Sequence, residues 1–120
     1  MKTVLVVDDY ASVRYYHMTL LRNAGYAPLA APGGAEALAL LEKQTVDLMM
    51  LDLVMPSMSG RAVVRMIRAM PRYRALPILI ITSEADPGDL TDIKADLACR
   101  VMAKPILPLV LLQEVQRWIG

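Results

Sequence analysis

Short apolar runs alternate with longer amphipathic segments along the whole chain, and this alternation limits the possible folds more than any other feature. The runs are Thr3–Val7, Ala27–Ala31, Leu48–Leu51, Ile78–Ile81 and Val101–Ala103. They are rich in Val, Ile and Leu and mostly apolar on both faces, as central parallel strands are when helices cover both sides. The intervening segments read as helices. Val13–Ala24 stops before Gly25, a residue suited to a left-handed cap. Ala35–Lys43 carries Ala37, Leu38 and Leu41 at helical spacing, and Gly60–Met70 follows Ser59, a good N-cap. Gly88–Leu97 follows Asp86-Pro87 and Leu109–Ile119 follows Pro108, so each starts at a proline. A β-α unit repeated five times predicts an α/β fold, a parallel sheet with right-handed crossovers. The 120 residues suit a single domain spanning 1–120, with no linker, repeat or low-complexity stretch.

Composition excludes several function classes. Apolar residues make up 56% and charged residues 21%, a globular rather than a disordered balance. A net charge of +1 gives no bulk electrostatic reason to expect nucleic acid or a membrane surface as partner. Arg61, Arg65, Arg68, Arg72 and Arg74 are a local exception, read first as a solvated helix face and second as a basic docking patch. A single cysteine, Cys99, rules out an intramolecular disulfide and a thiolate metal cage. His17 is the sole histidine, which rules out a His-rich metal site. No apolar run is long enough for a signal peptide or a membrane span, so a cytoplasmic protein is expected.

In a parallel sheet of this kind the C-terminal strand ends share one edge, where ligands bind. Asp8 and Asp9 follow the first strand, Asp52 the third, Thr82 the fourth, with Ser83 next, and Lys104-Pro105 the fifth. Each residue alone has a bland reading: a loop acid, a strand-end hydroxyl, a surface lysine. Together they place three acids, a hydroxyl and a lysine on the ligand edge. Clustered carboxylates repel and require a proton or a cation, and an all-oxygen donor set suits Mg²⁺. Lys104 supplies a point charge for a phosphoryl oxygen and Thr82 a hydroxyl donor. With that charge neutralised, Asp52 is placed to attack phosphorus as a carboxylate nucleophile.

At VLVVDD (4–9), LMMLDLVMPSMSG (48–60), PILIITSE (77–84) and AKP (103–105) the chain resembles the receiver domains of bacterial two-component response regulators. The resemblance covers residues 2–119. It implies a doubly wound, flavodoxin-like sheet in the order 2-1-3-4-5 with five flanking helices. It implies that Asp52 accepts a phosphoryl group from a histidine kinase or a histidine phosphotransfer protein. Asp9 would then bind Mg²⁺, with Asp8, Asp52 and the backbone carbonyl of Val54 completing the metal site. Lys104 and Thr82 would engage the phosphoryl oxygens, and the Lys104–Pro105 peptide would be cis. Phosphorylation would bias a two-state equilibrium in the surface of the fourth helix, fifth strand and fifth helix, where a downstream protein docks. Val54 and Glu84 would flank the path of hydrolytic water.

The chain departs from the family pattern at several positions. Val101 stands where an inward-turning aromatic switch residue is usual, and valine has one preferred χ1 and little polar reach. Ile106 replaces a frequent phenylalanine. Leu97 and Ala98 stand where a glycine often ends the fourth helix, so a different helix end is expected. Tyr10 follows the acid pair, either shielding the site or lying in solvent. In the fifth helix Leu109, Leu111, Leu112, Val115, Trp118 and Ile119 cover a broad arc, with Val110 outside it. That breadth reads as a wide core face or as a homodimer surface. Met49, Met50, Met66 and Met102 read as core filler.

No output domain is expected after the fifth helix, so output would be protein–protein contact, as in chemotaxis-type regulators. Two rivals stand beside this reading. A degenerate receiver would serve as an interaction or dimerisation module without phosphorylation; Val101 favours it and the intact acid, threonine and lysine set opposes it. A Mg²⁺-dependent phosphatase of the haloacid-dehalogenase type would need a D-x-D motif at its first strand, where this chain has adjacent acids. The expected protein is therefore not an enzyme beyond its own phosphorylation and dephosphorylation.

Overall fold

In the computed structural model, which describes residues 1–83 and 90–120, the five apolar runs become the strands of one sheet. They are β1 (Thr3–Val7), β2 (Ala27–Ala31), β3 (Leu48–Asp52), β4 (Ile78–Thr82) and β5 (Cys99–Ala103). All neighbours are parallel, and the strand order is 2-1-3-4-5, as expected. The helices are α1 (Ala11–Asn23), α2 (Gly34–Lys43), α3 (Gly60–Arg68), α4 (Thr91–Ala95) and α5 (Pro108–Ile119), with a 3-10 turn at Pro71–Tyr73.

Alternation along the strands divides the core into two layers. Leu5, Val7, Met49, Leu51, Ile78 and Ile80 point to one face, where Leu41, Val63, Ile67 and Ile93 bring in α2, α3 and α4. Val4, Val6, Leu48, Met50, Leu79 and Ile81 point to the other, against Leu21 of α1 and Leu111 and Val115 of α5. Each fully buried side chain of this size contributes about 1.5–3 kcal/mol relative to exposure.

The local rules held at several element ends. Gly25 adopts φ 94° after α1. There its N–H donates to Arg22 O at 3.1 Å and that of Tyr26 to Leu21 O at 3.0 Å, satisfying the last carbonyls. The Ser59 hydroxyl accepts the N–H of Ala62 at 3.2 Å and starts α3. The β5 strand begins at Cys99, two residues before the apolar signal, because Cys99 and Arg100 pair with Ile78 and Leu79.

Other expectations are corrected. The end of α4 is at Ala95, not Leu97, because Asp96 leaves the helix with φ −78° and ψ 115°. Its carboxylate accepts the Ala98 N–H at 2.9 Å, so a side chain does the work of the missing glycine. Residues 86–88, expected to start this helix, lie outside the described residues, as does Glu84. Met49 and Met50 are buried but Met66 is 46% exposed. In α5 Leu111 and Val115 are buried, while Leu109 and Val110 are exposed. Glu114 is also buried, with Arg100 Nε at 3.3 Å from its carboxylate.

Arg68 ties the α4 end to its surroundings. Its Nε lies 2.6 Å from the Asp96 carboxylate, and its terminal nitrogens donate to Tyr73 O at 2.6 Å and Ala98 O at 3.4 Å. This pair holds the Asp96 carboxyl below its usual range against the cost of burial, with help from the Ala98 N–H. Nearby, burial pushes the Cys99 thiol up to about 11. Charged hydrogen bonds of this kind are worth about 1.5–3 kcal/mol each. Arg68→Ala is therefore expected to lose about 3 kcal/mol of unfolding free energy in urea, whereas Arg72→Ala on the exposed turn changes it by under about 0.5 kcal/mol.

Candidate functional site

The parallel arrangement delivers the expected residues to one edge. Past β1, the Asp8 N–H donates to Ala31 O at 3.2 Å, holding the turn against β2. Asp8 Oδ1 accepts the Tyr10 N–H at 2.9 Å, and Arg14 of α1 donates to the Asp8 carbonyl at 2.7 Å. Asp52 closes β3, and its Oδ1 accepts the Val54 N–H at 3.2 Å. Beyond β4 and β5, the Lys104 N–H donates to Thr82 O at 2.8 Å, and the Lys104–Pro105 peptide is cis.

These anchors converge the side chains. Lys104 Nζ lies 3.5 Å from Asp8 Oδ2 and 3.5 Å from Asp52 Oδ2. Carboxylate oxygens of Asp8, Asp9 and Asp52 all fall within 4.8 Å of one another. Asp8, Asp52 and Thr82 are buried. Burial raises the Asp52 carboxyl above its usual range, aided by Asp8 and Asp9 and opposed by the Val54 N–H and Lys104. Lys104 is one cation shared between two of three acids, so the cluster is short of positive charge. Asp9 Oδ1 is buried with no hydrogen-bond partner among the described residues. An orphaned carboxylate oxygen beside two more acids fits a hard divalent cation of the Mg²⁺ class.

A cleft of about 400 Å³ opens over this cluster, lined by Tyr10, Asp52, Val54, Ser83 and Lys104 among others. Val54 is half exposed there. Tyr10 both lines the cleft and is 65% exposed, so the two expectations for it are not exclusive. Val101 is half-buried and packs on the core layer beneath α2, α3 and α4. His17 is buried on α1, and burial pushes its pKa down while the charges of Asp8 and Lys104 act on it in opposite directions.

Gly60, expected to start a helix and to close the 48–60 segment, has a further role that the sequence did not reveal. A Cβ at Gly60 would lie 2.5 Å from the Asp52 carbonyl oxygen and 2.8 Å from Leu53 Cα. The Gly60 N–H also donates to Leu53 O at 2.8 Å. The first turn of α3 therefore rests directly on the backbone that carries Asp52. The signal was a glycine eight residues after a strand-end acid, but spacing alone did not reveal so close an approach.

The chain matches the response regulator receiver domain over residues 4–116. The CAI-1 autoinducer sensor kinase/phosphatase CqsS of Vibrio cholerae is 33% identical over 119 residues; that match covers 98% of this chain and 17% of that protein, so the chain spans about one-sixth of its length. The solved structure of Vibrio cholerae chemotaxis protein CheY4 is 37% identical, with a TM-score of 0.89 over 98% of each chain. That of the response regulator TrrA from Thermotoga maritima, in complex with Mg²⁺-BeF, is 29% identical, with a TM-score of 0.81 over 98% of this chain and 99% of that one.

Proposed function

The chain belongs to the response regulator receiver domain family of two-component signalling, and on that premise we propose that Asp52 accepts a phosphoryl group and thereby changes what the protein contacts. The observation that carries the reading is Lys104 Nζ at 3.5 Å from the carboxylates of both Asp52 and Asp8. An Asp52 oxygen attacks phosphorus, the bond to the donor's imidazole nitrogen breaks, and the leaving imidazole takes a proton. Lys104 moves onto the incoming phosphoryl oxygens, and Thr82 supplies a hydroxyl donor. Asp8, Asp9, Asp52 and the Val54 carbonyl would hold Mg²⁺, which supplies positive charge against the oxygens of the transferring group.

The donor is a histidine kinase or a histidine phosphotransfer protein, in keeping with the sensor kinase among the relatives. Output runs through the face made by α4, β5 and α5. Leu97, Leu107 and Leu109 are 94%, 69% and 73% exposed near it, and a downstream protein or a second copy docks there. Val101, with no aromatic ring to swing inward, leaves the movement to Thr82, Lys104-Pro105 and the α4 end. No helix among the described residues is long and apolar enough to cross a membrane.

Intact mass after incubation with acetyl phosphate tests the proposal. The expected result is one phosphoryl group on the wild type, dependent on Mg²⁺ and absent from Asp52→Asn. No gain with either acetyl phosphate or phosphoramidate would put the phosphorylation-independent interaction module in its place.

A further inference from the structure

From Leu53 to Ser83 the chain contains five arginines and no acid. They do not act as one group. Arg61, Arg65 and Arg68 line the cleft facing α4, and Arg68 is engaged with Asp96. Arg72 and Arg74 are exposed and make no ion pair among the described residues. Arg72 lies over the Tyr73 ring, 5.3 Å from its centroid. Lys43, at the end of α2, is also exposed.

Between α2 and α3 runs a groove of about 390 Å³, lined by Leu38, Glu42, Met66, Ala69, Met70 and Tyr73. Its lining is almost wholly apolar. The Tyr73 hydroxyl donates to Leu41 O at 2.8 Å, so the ring is pinned between the two elements. Met66 is 46% exposed although apolar. Flexible thioethers on an open face adapt to an incoming apolar side chain. Parallel strands with antiparallel crossover helices put the C-terminal ends of α2 and α3 at the edge of the sheet opposite Asp52. An occupant of the groove therefore leaves the phosphorylation site open.

We propose that the groove between α2 and α3 docks an acidic amphipathic helix of a partner protein. An apolar channel between two helices takes the apolar ridge of a third. Arg72, Arg74 and Lys43, each next in sequence to a residue lining the groove, against the single acid Glu42, select acidic flanks on that helix. Nucleic acid fits less well, because the floor is apolar and the whole chain carries a net charge of only +1. Phosphorylation at Asp52 is not required, so docking is constitutive.

Selection of a helical peptide display library on the wild-type protein tests this. The expected winners are amphipathic with acidic flanks. They bind at least tenfold more weakly to Met66→Glu and several-fold more weakly to Arg72→Glu/Arg74→Glu, and they bind Asp52→Asn as they do the wild type. Circular dichroism checks the fold of each variant, and the double variant alone, whose positions are both exposed, decides the matter where Met66→Glu is misfolded. The proposal is overturned by no enrichment, by winners without acidic bias, or by binding that both groove variants retain. It is equally overturned when duplex DNA or phosphatidylglycerol vesicles bind the wild type and lose binding in these variants. A dimer in sedimentation that Met66→Glu dissolves would make a second copy the occupant instead. Because Asp52→Asn is included, loss of the phosphorylation reading leaves this result standing.

Discussion

Gly60→Ala is expected to lose about 3 kcal/mol of unfolding free energy and to slow phosphoryl uptake by at least about tenfold. The added methyl carbon would sit 2.5 Å from the carbonyl oxygen of Asp52 and 2.8 Å from Leu53 Cα. Both are main-chain atoms, so neither swings aside by changing a rotamer. Either α3 lifts off or the Asp52 backbone moves, and the second displaces the nucleophile from Lys104. Gly34→Ala is the control. Its Cβ would meet Met58 Sδ and Val63 Cγ2, each at 2.6 Å. Those are side-chain atoms, and the methionine chain is flexible. That variant is expected to lose less stability and to keep the wild-type rate. Urea unfolding and the initial rate of mass gain with acetyl phosphate read both effects; equal losses in the two variants would sink the argument.

Asp52→Asn is expected to abolish phosphorylation and yet to make the Mg²⁺-free protein more stable at pH 7, by on the order of 1 kcal/mol. Three carboxylates lie within 4.8 Å of one another beside one lysine. Burial, with Asp8 and Asp9, raises the folded-state pKa of Asp52. For an acid raised in this way, the folded state binds the proton more tightly than the unfolded state does. The stability this contributes is full below the unfolded pKa and is lost as pH rises through the folded value. At neutral pH the ionised group therefore costs stability, which asparagine removes, and below the usual carboxylate range the two proteins converge. Mg²⁺ reverses the order, since a ligand at one hundred times its Kd stabilises the folded state by about 2.7 kcal/mol. The wild type is expected to gain that in thermal unfolding with Mg²⁺ against EDTA, and Asp52→Asn to gain much less. A variant less stable than the wild type in EDTA would contradict the charge argument.

The sheet and its ligand edge were legible because each strand is a short apolar run and each following polar residue falls where the parallel topology collects it. Asp8, Asp9, Asp52, Thr82 and Lys104 could be grouped without coordinates for that reason. What stayed hidden depends on contacts between distant segments. Gly60 looks like any helix-start glycine until α3 is seen lying on Asp52. Asp96 looks like a surface acid until Arg68, twenty-eight residues earlier, is found 2.6 Å away. Glu114 follows a polar residue in the sequence, and its burial is explained by its ion pairs with Arg100 on β5 and Arg117 on α5. Met66 was misjudged for the opposite reason: hydrophobicity at helical spacing does not reveal that the neighbouring helix leaves a channel uncovered.

The same Arg68 corner has a practical chemical consequence. A thiol pushed up to about 11 is about one part in a thousand thiolate at pH 8. Cys99 should therefore react slowly with maleimides and peroxides. A cysteine introduced at an exposed position of α4 or α5 could then carry a spin or fluorescent label on the otherwise native chain, so that the movement of either helix can be followed without first removing Cys99.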